Sequence, residues 1–227
     1  MKDLGSIIAH IPARGGSKRV PGKNLRPLAG QPMLAYAVNA ALSCKGGFPV
    51  YVNTDSDEIA SLAEKLGVAV YRRSPELASD TTTSDEFNMD IIDALTPDTL
   101  VMINPVCPLI ESSDIEAALG VFQSKDVDTL ISVSETRMQC FYRNNPVNVD
   151  INSKLAATQS NEPVQVCNWA ITIWDARKYA ERYRELGYAV FGERRELFPI
   201  SPLKAVKIST EEDFKMAELM VKARNMI

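Results

Sequence analysis

Residues 6–25 have the sequence SIIAHIPARGGSKRVPGKNL, and this stretch decides how the chain folds. The apolar run over 6–11 has the length and composition of a buried β-strand, and Pro12 ends it. A basic, glycine-rich loop follows directly over 13–24. Parallel α/β sheets bind ligands outside the carboxyl ends of their strands, which is where a loop after the first strand must lie. The stretch therefore predicts a first strand that opens into a ligand-binding loop.

The composition of this loop indicates a ligand with several phosphate groups. Gly15 and Gly16 permit positive φ angles and let a ligand approach the main chain closely. A ten-residue part of the loop contains four cations: Arg14, Lys18, Arg19 and Lys23. Exposed amides and this many cations favour a polyphosphate, the alternative being a solvated basic surface loop. The loop matches neither the GxxxxGK pattern of a Walker A loop nor the GxGxxG pattern of a Rossmann fold.

The rest of the chain alternates between short apolar runs and amphipathic stretches. Strands are predicted over 6–11, 49–52, 68–71, 100–103, 129–133, 169–174 and 205–208. Helices are predicted over 32–42, 57–66, 84–95, 112–122 and 176–186, with a last helix from 210. Strands and helices that take turns with short connections predict a three-layer α/β fold, a mostly parallel sheet with helices on both faces. We interpret residues 1–227 as a single domain.

The segment 135–165 breaks this alternation because it is polar, rich in asparagine and contains Pro146 and Pro163. One interpretation is a mobile loop; another is an arm that leaves the main sheet and packs on a second subunit. A structureless loop of this length is uncommon in a compact domain, which favours the arm. We therefore expect a homodimer built by this segment.

Composition excludes several functional classes. The chain has 25 Lys and Arg against 29 Asp and Glu, a net charge of −4, which argues against nucleic-acid or membrane-surface partners. The four cysteines form no CxxC pair and His10 is the single histidine, so a zinc knuckle is not expected. We expect the cysteines to be buried, reduced thiols. With no membrane-length apolar run and no signal-peptide pattern at the N-terminus, we expect a cytoplasmic protein.

The motif IPARGGSKRVPGKNL at 11–25 closely resembles the signature of the acylneuraminate cytidylyltransferase family. The similarity extends to Asn-Thr-Asp at 53–55, to RSPELASDTTTS at 73–84 and to NPVCPL at 104–109. It continues more weakly at 168–171 and in the final part of the chain, so it spans most of the sequence. The resemblance implies a fold of the nucleotide-diphospho-sugar transferase type.

The resemblance also implies a reaction and a set of site residues. Such enzymes use CTP and magnesium to activate a nonulosonic or 3-deoxy-ulosonic sugar acid, giving a CMP-sugar and pyrophosphate. Arg14 and Lys23 would be the catalytic residues, flanking the α-phosphate and stabilising its developing charge. Nucleotide binding would fall to Ala13, Gly15, Gly16, Ser17, Lys18, Asn24, Arg73 and Ser84. The sugar would be bound by Asn104, Gln165, Asn168 and Phe191.

Departures from the family pattern fall on the metal and sugar side. Where relatives carry an Asp-x-Asp pair before the last helix, this chain has Lys-Ile-Ser-Thr at 207–210. Three explanations are open: the metal is held by CTP phosphates and water, an acid at 211–213 substitutes, or Lys207 supplies the charge itself. Ile110 stands at a position where relatives often have an arginine. Thr158 lies in a region where some relatives have an arginine that meets the carboxylate of the sugar. We infer an acceptor other than ordinary N-acetylneuraminate.

Two other functions remain open at this stage. One is a different nucleotidyltransferase, acting on a sugar phosphate with CTP or GTP, because the same sheet and loop would serve it. The other is a nucleotide-binding protein without turnover, which the missing Asp pair favours. The presence of Arg14 and Lys23 argues against the second, because simple binding does not require them.

Overall fold

The computed structural model describes residues 1–224, which form eleven strands and six α-helices. The strands are β1 Ile7–Pro12, β2 Pro27–Leu28, β3 Gln31–Pro32, β4 Val50–Thr54, β5 Ala69–Arg72, β6 Thr99–Ile103, β7 Thr129–Thr136, β8 Phe141–Tyr142, β9 Asn145–Pro146, β10 Val164–Asp175 and β11 Arg195–Pro199. The helices are α1 Met33–Leu42, α2 Asp57–Lys65, α3 Ser84–Leu95, α4 Ser112–Ser124, α5 Ala176–Leu186 and α6 Glu211–Arg224. Single 3₁₀ turns occur at Pro75–Ala78 and Thr158–Ser160.

Seven strands form one central sheet in the order β11-β7-β10-β6-β1-β4-β5. Strand β1 pairs in parallel with both β4 and β6, β4 with β5, and β11 with β7. Only β10 runs antiparallel to its neighbours β6 and β7. The carboxyl ends of β1, β4, β5 and β6 therefore meet at one edge, and the amino-terminal half of β10 reaches the same edge.

Helices cover both faces of the sheet, which confirms the predicted three-layer α/β architecture. Alternate residues of each central strand enter opposite cores, as the twofold period of a strand requires. Ala9 and Ile11 of β1 pack in the larger core with α1, α2, α4 and α6, whereas Ile8 packs in the smaller core with α3 and α5. Burial on both faces explains why these strands are apolar throughout. Within residues 1–224, no helix is both long enough and apolar enough to cross a membrane.

The predicted strand at 205–208 is wrong. This segment has no ladder partner; Ile208 donates its backbone N–H to Val106 O at 2.8 Å, and its side chain is buried in the larger core. The edge of the sheet is formed instead by β11, whose sequence Arg-Glu-Leu-Phe-Pro lacks an apolar run. Its five residues pair in parallel with β7. For both 205–208 and β11, the availability of a strand to pair with therefore decided the structure more than the local pattern of apolar residues.

The two ends of the segment predicted as an arm belong to strands β7 and β10 of the central sheet. Thr136 of β7 pairs with Val164 of β10, so the part that leaves the sheet runs over 137–163. It contains the β8–β9 hairpin and one 3₁₀ turn. Of the four cysteines, Cys44 and Cys107 are buried as expected, whereas Cys140 and Cys167, in and beside this segment, are only partly buried.

Candidate nucleotide-binding site

Four strand ends converge on the loop that follows β1. Ala13 donates its backbone N–H to the carbonyl oxygen of Asn53 at 2.9 Å, which fixes the start of the loop against the end of β4. Gly15 N–H donates to Asp55 Oδ1 at 3.0 Å, and a Cβ at Gly15 would lie 3.1 Å from that of Ser56. The loop is thus held close to the beginning of α2. Gly16 has open space around it, as a residue facing a ligand needs.

A cleft of about 240 Å³ lies along this loop. Its lining residues are Pro12, Arg14, Ser17, Lys18, Arg19, Val20, Lys23, Asn24, Arg73, Phe87, Pro105 and Val106. Six of the residues predicted for catalysis or nucleotide binding are among them: Arg14, Ser17, Lys18, Lys23, Asn24 and Arg73. All five charged side chains of the lining are cations, so the cleft is suited to a polyanion.

Arg73 is a fixed, buried cation at the back of the cleft. Its Nε donates to Asn53 Oδ1 at 2.7 Å and one terminal nitrogen donates to Asn53 O at 3.2 Å. The guanidinium carbon lies 4.5 Å from the centre of the Phe87 ring, within range of a cation–π contact. Burial lowers the pKa of Arg73 to about 10, so the side chain remains charged at neutral pH. A positive group held this rigidly orients whatever it binds.

Two loop cations share one carboxylate. Arg14 donates to Asp80 Oδ1 at 2.9 Å and to the carbonyl oxygens of Ala78 and Ser79 at 3.3 and 2.9 Å. Lys18 forms an ion pair with the other oxygen of Asp80. These two cations hold the pKa of Asp80 below its usual range, first through their hydrogen bonds. In this arrangement oxygen atoms of residues 78–80 accept from Arg14, and Asp80 also pairs with Lys18. These are hydrogen-bond donors that a bound phosphate would otherwise use.

Lys23 and Asn24 lie at the other end of the loop. Lys23 is partly buried, and its Nζ lies 3.5 Å from the carbonyl oxygen of Ile208. Burial lowers the pKa of Lys23, and the neighbouring charges of Arg19 and Lys207 lower it further. Asn24 donates from Nδ2 to the carbonyl oxygen of Arg14 at 3.2 Å, which braces the loop across its width.

Ser84 lies at the first position of α3, exposed to solvent. The N-cap of this helix is Thr83, whose side chain accepts from Glu86 N at 3.3 Å. Ser84 is therefore free to serve as a ligand contact. Phe87, one turn further along α3, lines the cleft, so this turn of α3 borders the nucleotide site.

The residues predicted for the sugar lie around an irregular stretch of β10. The pairing of β10 with β7 shifts register between Cys167 and Thr172, and Trp169 takes a positive φ of 60°. Buried Asn168 holds this conformation: its Oδ1 accepts from Ser132 Oγ at 2.6 Å and from Ala170 N at 3.1 Å. A strained backbone that its neighbours maintain is typical of a functional site.

Asn104 and Phe191 flank this stretch, whereas Gln165 does not. Asn104 donates its backbone N–H to the carbonyl oxygen of Ala170 at 2.9 Å. The Phe191 ring packs edge-on against Trp169 with centroids 5.3 Å apart, and Phe191 is exposed. Gln165 lies on the extended ladder at the base of the arm and donates to Glu135 Oε1 at 3.0 Å. Asn104 and Phe191 thus contact Ala170 and Trp169, the two residues that follow Asn168, whereas Gln165 lies on the regular ladder.

A family model described as Cytidylyltransferase matches residues 8–225 of this chain. The chain belongs to the cytidylyltransferase family. It is 30% identical to post-translational flagellin modification protein B of Campylobacter coli, over 98% of each chain. It is 31% identical to the CMP-N,N'-diacetyllegionaminic acid synthase of Legionella pneumophila, over 77% of this chain and 80% of that one. The N-acylneuraminate cytidylyltransferase of Streptococcus agalactiae is 36% identical over 56% of this chain, which spans only 32% of that relative.

Solved structures of two proteins share the fold of this cytidylyltransferase. The CMP:2-keto-3-deoxy-manno-octonic acid synthetase complexed with CTP superposes with a TM-score of 0.74 at 16% identity, covering 96% of this chain and 99% of that one. The 4-diphosphocytidyl-2C-methyl-D-erythritol synthase from Anaerococcus prevotii gives a TM-score of 0.66 at 15% identity, over 96% and 97%. Both confirm the nucleotide-diphospho-sugar transferase type of fold.

The carboxylates of this cytidylyltransferase do not fit a metal held by protein side chains. Glu211 accepts two hydrogen bonds from Arg26 at 2.8 and 2.7 Å. Asp213 accepts from the backbone N–H groups of Ser209 and Thr210, both at 2.8 Å, and so closes the first turn of α6. Across residues 1–224 there is no group of three or more His, Cys, Asp or Glu side chains suited to a metal ion. Of the three acids at 211–213 that could replace the missing Asp pair, Glu211 and Asp213 thus already have partners, and Glu212 is exposed on α6.

Sequence reasoning missed several residues that shape the site. Asn53 was recognised only as part of a motif, yet it fixes Arg73. Phe87 falls within a predicted helix and Trp169 within a predicted strand; Phe87 lines the cleft, and Trp169 packs against Phe191. A signal was present for Asn53, because a polar residue at the carboxyl end of a buried strand points to the ligand edge. For Trp169 there was none, because its role depends on a register shift in the sheet.

Proposed function

We propose that this cytidylyltransferase transfers cytidine monophosphate from CTP to a nonulosonic, sialic-acid-like or 3-deoxy-ulosonic sugar acid. The anomeric oxygen of the sugar forms a bond to the α-phosphorus, the bond from that phosphorus to the β-phosphate breaks, and pyrophosphate leaves while the hydroxyl proton passes to solvent. The observation that carries this proposal is the all-cationic cleft at the strand ends, next to the fixed guanidinium of Arg73.

The cleft supplies what phosphoryl transfer needs, namely positioning and neutralisation of charge. Arg14 and Lys23 line it from opposite ends of the loop, so a triphosphate between them meets positive charge on both sides. Ser17, Lys18 and the amides of Gly15 and Gly16 follow in the same loop and suit the outer phosphates. Preorganised charge in a partly dry cleft stabilises the developing negative charge better than water does.

The proposal predicts a particular behaviour of the Arg14→Ala variant. Pyrophosphate release at saturating CTP should fall about 100-fold or more, because the guanidinium acts where charge develops. CTP affinity, measured by calorimetry, should fall by less than about tenfold. The matched control is Arg72→Ala, which removes an exposed arginine that pairs with Asp57 outside the cleft. Equal losses of turnover and affinity in Arg14→Ala would favour a binding protein without turnover.

We further propose that the acceptor is not ordinary N-acetylneuraminate. Two relatives that this chain spans over most of their length are named for flagellin modification and for diacetyllegionaminic acid. Ile110, which stands where relatives often have a charged arginine, is buried in the core and offers no cation to the sugar. The exposed ring of Phe191, packed edge-on against the partly buried Trp169, instead presents an apolar surface. Such a surface suits a sugar acid with apolar substituents.

A panel of sugar acids tests the identity of the acceptor. Pyrophosphate release is measured with CTP and each of several nonulosonic and 3-deoxy-ulosonic acids, then repeated with GTP, ATP and UTP. We expect turnover with CTP and with one or more modified acids. Efficient turnover with N-acetylneuraminate alone would contradict the proposed acceptor class. A preference for GTP would favour a sugar-phosphate nucleotidyltransferase.

We propose a homodimer in which the arm 137–163 of one chain packs on a second copy. Six large apolar residues of this segment are more than half exposed: Met138, Phe141, Tyr142, Val147, Ile151 and Leu155. A surface of this kind usually marks a contact between proteins.

Sedimentation should show a dimer at micromolar concentration and a monomer for Leu155→Glu. Leu203→Glu, also at an exposed leucine but outside the arm, is the control. A monomeric parent protein would refute the arrangement.

Three further proposals complete the functional description. Residues 1–227 act as one catalytic domain. The protein works in the cytoplasm, where thiols such as Cys140 stay reduced. Mg²⁺ enters as the counter-ion of CTP, because the carboxylates next to the cleft are committed to other partners. We expect no nucleic-acid or membrane partner.

A further inference from the structure

Two cations of the phosphate loop, Arg19 and Lys23, lie close to a third, Lys207, which comes from a part of the chain far away in sequence. Lys23 Nζ is 3.5 Å from the carbonyl oxygen of Ile208. Ile208 itself is anchored, because its N–H donates to Val106 O at 2.8 Å and its side chain is buried. The segment that carries Lys207 is therefore fixed against the cleft lining rather than free to move away. Arg19 lines the same cleft. We call Arg19, Lys23 and Lys207 the outer cationic cluster.

The outer cationic cluster is not neutralised by carboxylates. Among residues 1–224, none of its three side chains forms an ion pair, whereas Arg14 and Lys18 share Asp80. Arg19 and Lys207 are both exposed, so a ligand can reach them. The charges of Arg19 and Lys207 oppose that of Lys23, because they lower the pKa of Lys23 in addition to the effect of burial.

The neighbouring carboxylates are not poised to relieve this repulsion. Asp213 is near enough for Arg19 to help lower its pKa, but its oxygen accepts from two backbone N–H groups. Glu211 is occupied by Arg26. A chain that keeps three like charges together with no ion pair, and only one carboxylate nearby, gains stability when a polyanion binds between them.

We propose that Lys207, with Arg19, binds the outer phosphates of CTP next to Lys23 and supplies positive charge that a carboxylate-held metal would otherwise supply. This inference rests on the proposed function. A lysine can do this because its ammonium group is a compact charge with three donors on a flexible chain. The negative charge that accumulates on the departing pyrophosphate then meets protein cations directly. CTP should consequently bind without any divalent metal, and Lys207 should matter only for ligands that carry phosphates beyond the first.

The test is CTP and cytidine binding by calorimetry in the presence of a metal chelator. The parent protein should bind CTP under these conditions. Lys207→Gln should bind CTP roughly tenfold more weakly and cytidine unchanged, since a charge-assisted contact to phosphate is lost. Lys215→Gln is the matched control, because Lys215 is an exposed lysine on α6 outside the cleft, and it should bind both ligands like the parent. Lys207→Asp should lose metal-free CTP binding and recover part of it when Mg²⁺ is added.

Each other outcome has a defined meaning. If Lys207→Gln binds CTP as tightly as the parent in chelator, or loses CTP and cytidine equally, Lys207 does not contact the outer phosphates and the inference falls. If the parent protein binds CTP only with Mg²⁺ but releases pyrophosphate with a sugar acid, the inference falls while the proposed function stands. If the parent protein binds no CTP with or without Mg²⁺, the proposed function itself is wrong.

Discussion

Lowering the pH from 7.5 to 5 should destabilise this protein through one side chain, His10. It lies on β1, fully buried, and neither ring nitrogen makes a hydrogen bond of normal geometry within residues 1–224. The side chain of nearby Asn88 favours the protonated ring, but this effect is smaller than that of burial. The Phe87 ring is 6.1 Å away, and the charge of Arg73 is close enough to oppose a second cation. Burial, and then Arg73, lower the pKa of His10 to about 3.

The sign and size of the effect follow from proton linkage. An unfolded histidine titrates near pH 6.5, so between about 6.5 and 3 the unfolded chain binds a proton that the folded chain does not. Stability is therefore complete above pH 6.5 and falls as the pH drops below it. At about 1.4 kcal/mol per pH unit, the free energy of unfolding should be about 2 kcal/mol lower at pH 5 than at pH 7.5.

Urea unfolding at several pH values measures this loss, and His10→Gln removes its cause. The variant should lose about 2 kcal/mol less than the parent protein over the same pH interval, whatever its stability at pH 7.5. Carboxylates affect this difference between the two proteins little. The fold lowers the pKa of groups such as Asp98 and Asp213, so they titrate mostly below the interval from pH 5 to 7.5. Parallel curves for the two proteins would show that His10 takes up its proton while folded, and the reasoning would be refuted.

Two further predictions concern the cleft. Asp80→Asn should tighten CTP binding about two- to fivefold in calorimetry, because Arg14 and Lys18 no longer pair with an exposed carboxylate; weaker binding would mean that Asp80 itself contacts the ligand. Asn53→Ala should raise the KM for CTP roughly tenfold with little change in kcat, since Arg73 loses its 2.7 Å hydrogen bond; an unchanged KM would show that the Phe87 ring and the Asn53 carbonyl oxygen position the guanidinium without the amide.

The sequence alone was sufficient for the elements whose signal is local. The apolar runs, the helical periodicity and the loop at 13–24 predicted a mostly parallel sheet with helices on both faces, and the fold confirms it. The motif of that loop also identified a cytidylyltransferase, which the family match to residues 8–225 confirms. Local signals succeed here because each central strand is buried on both faces and so is apolar along its whole length.

Only the tertiary structure decided what depends on distant partners. β11 is a strand because β7 offers it a free edge, although its sequence begins with two charged residues and has no strand-like alternation; 205–208 has an apolar pattern but finds no edge. Likewise, Asp80 neutralises Arg14 across 66 positions, whereas Lys23 reaches the carbonyl oxygen of Ile208, next to Lys207, and neither lysine has an ion-pair partner among residues 1–224. Hydrogen bonds and charges act through space, so a pattern along the chain cannot reveal which groups the fold brings together.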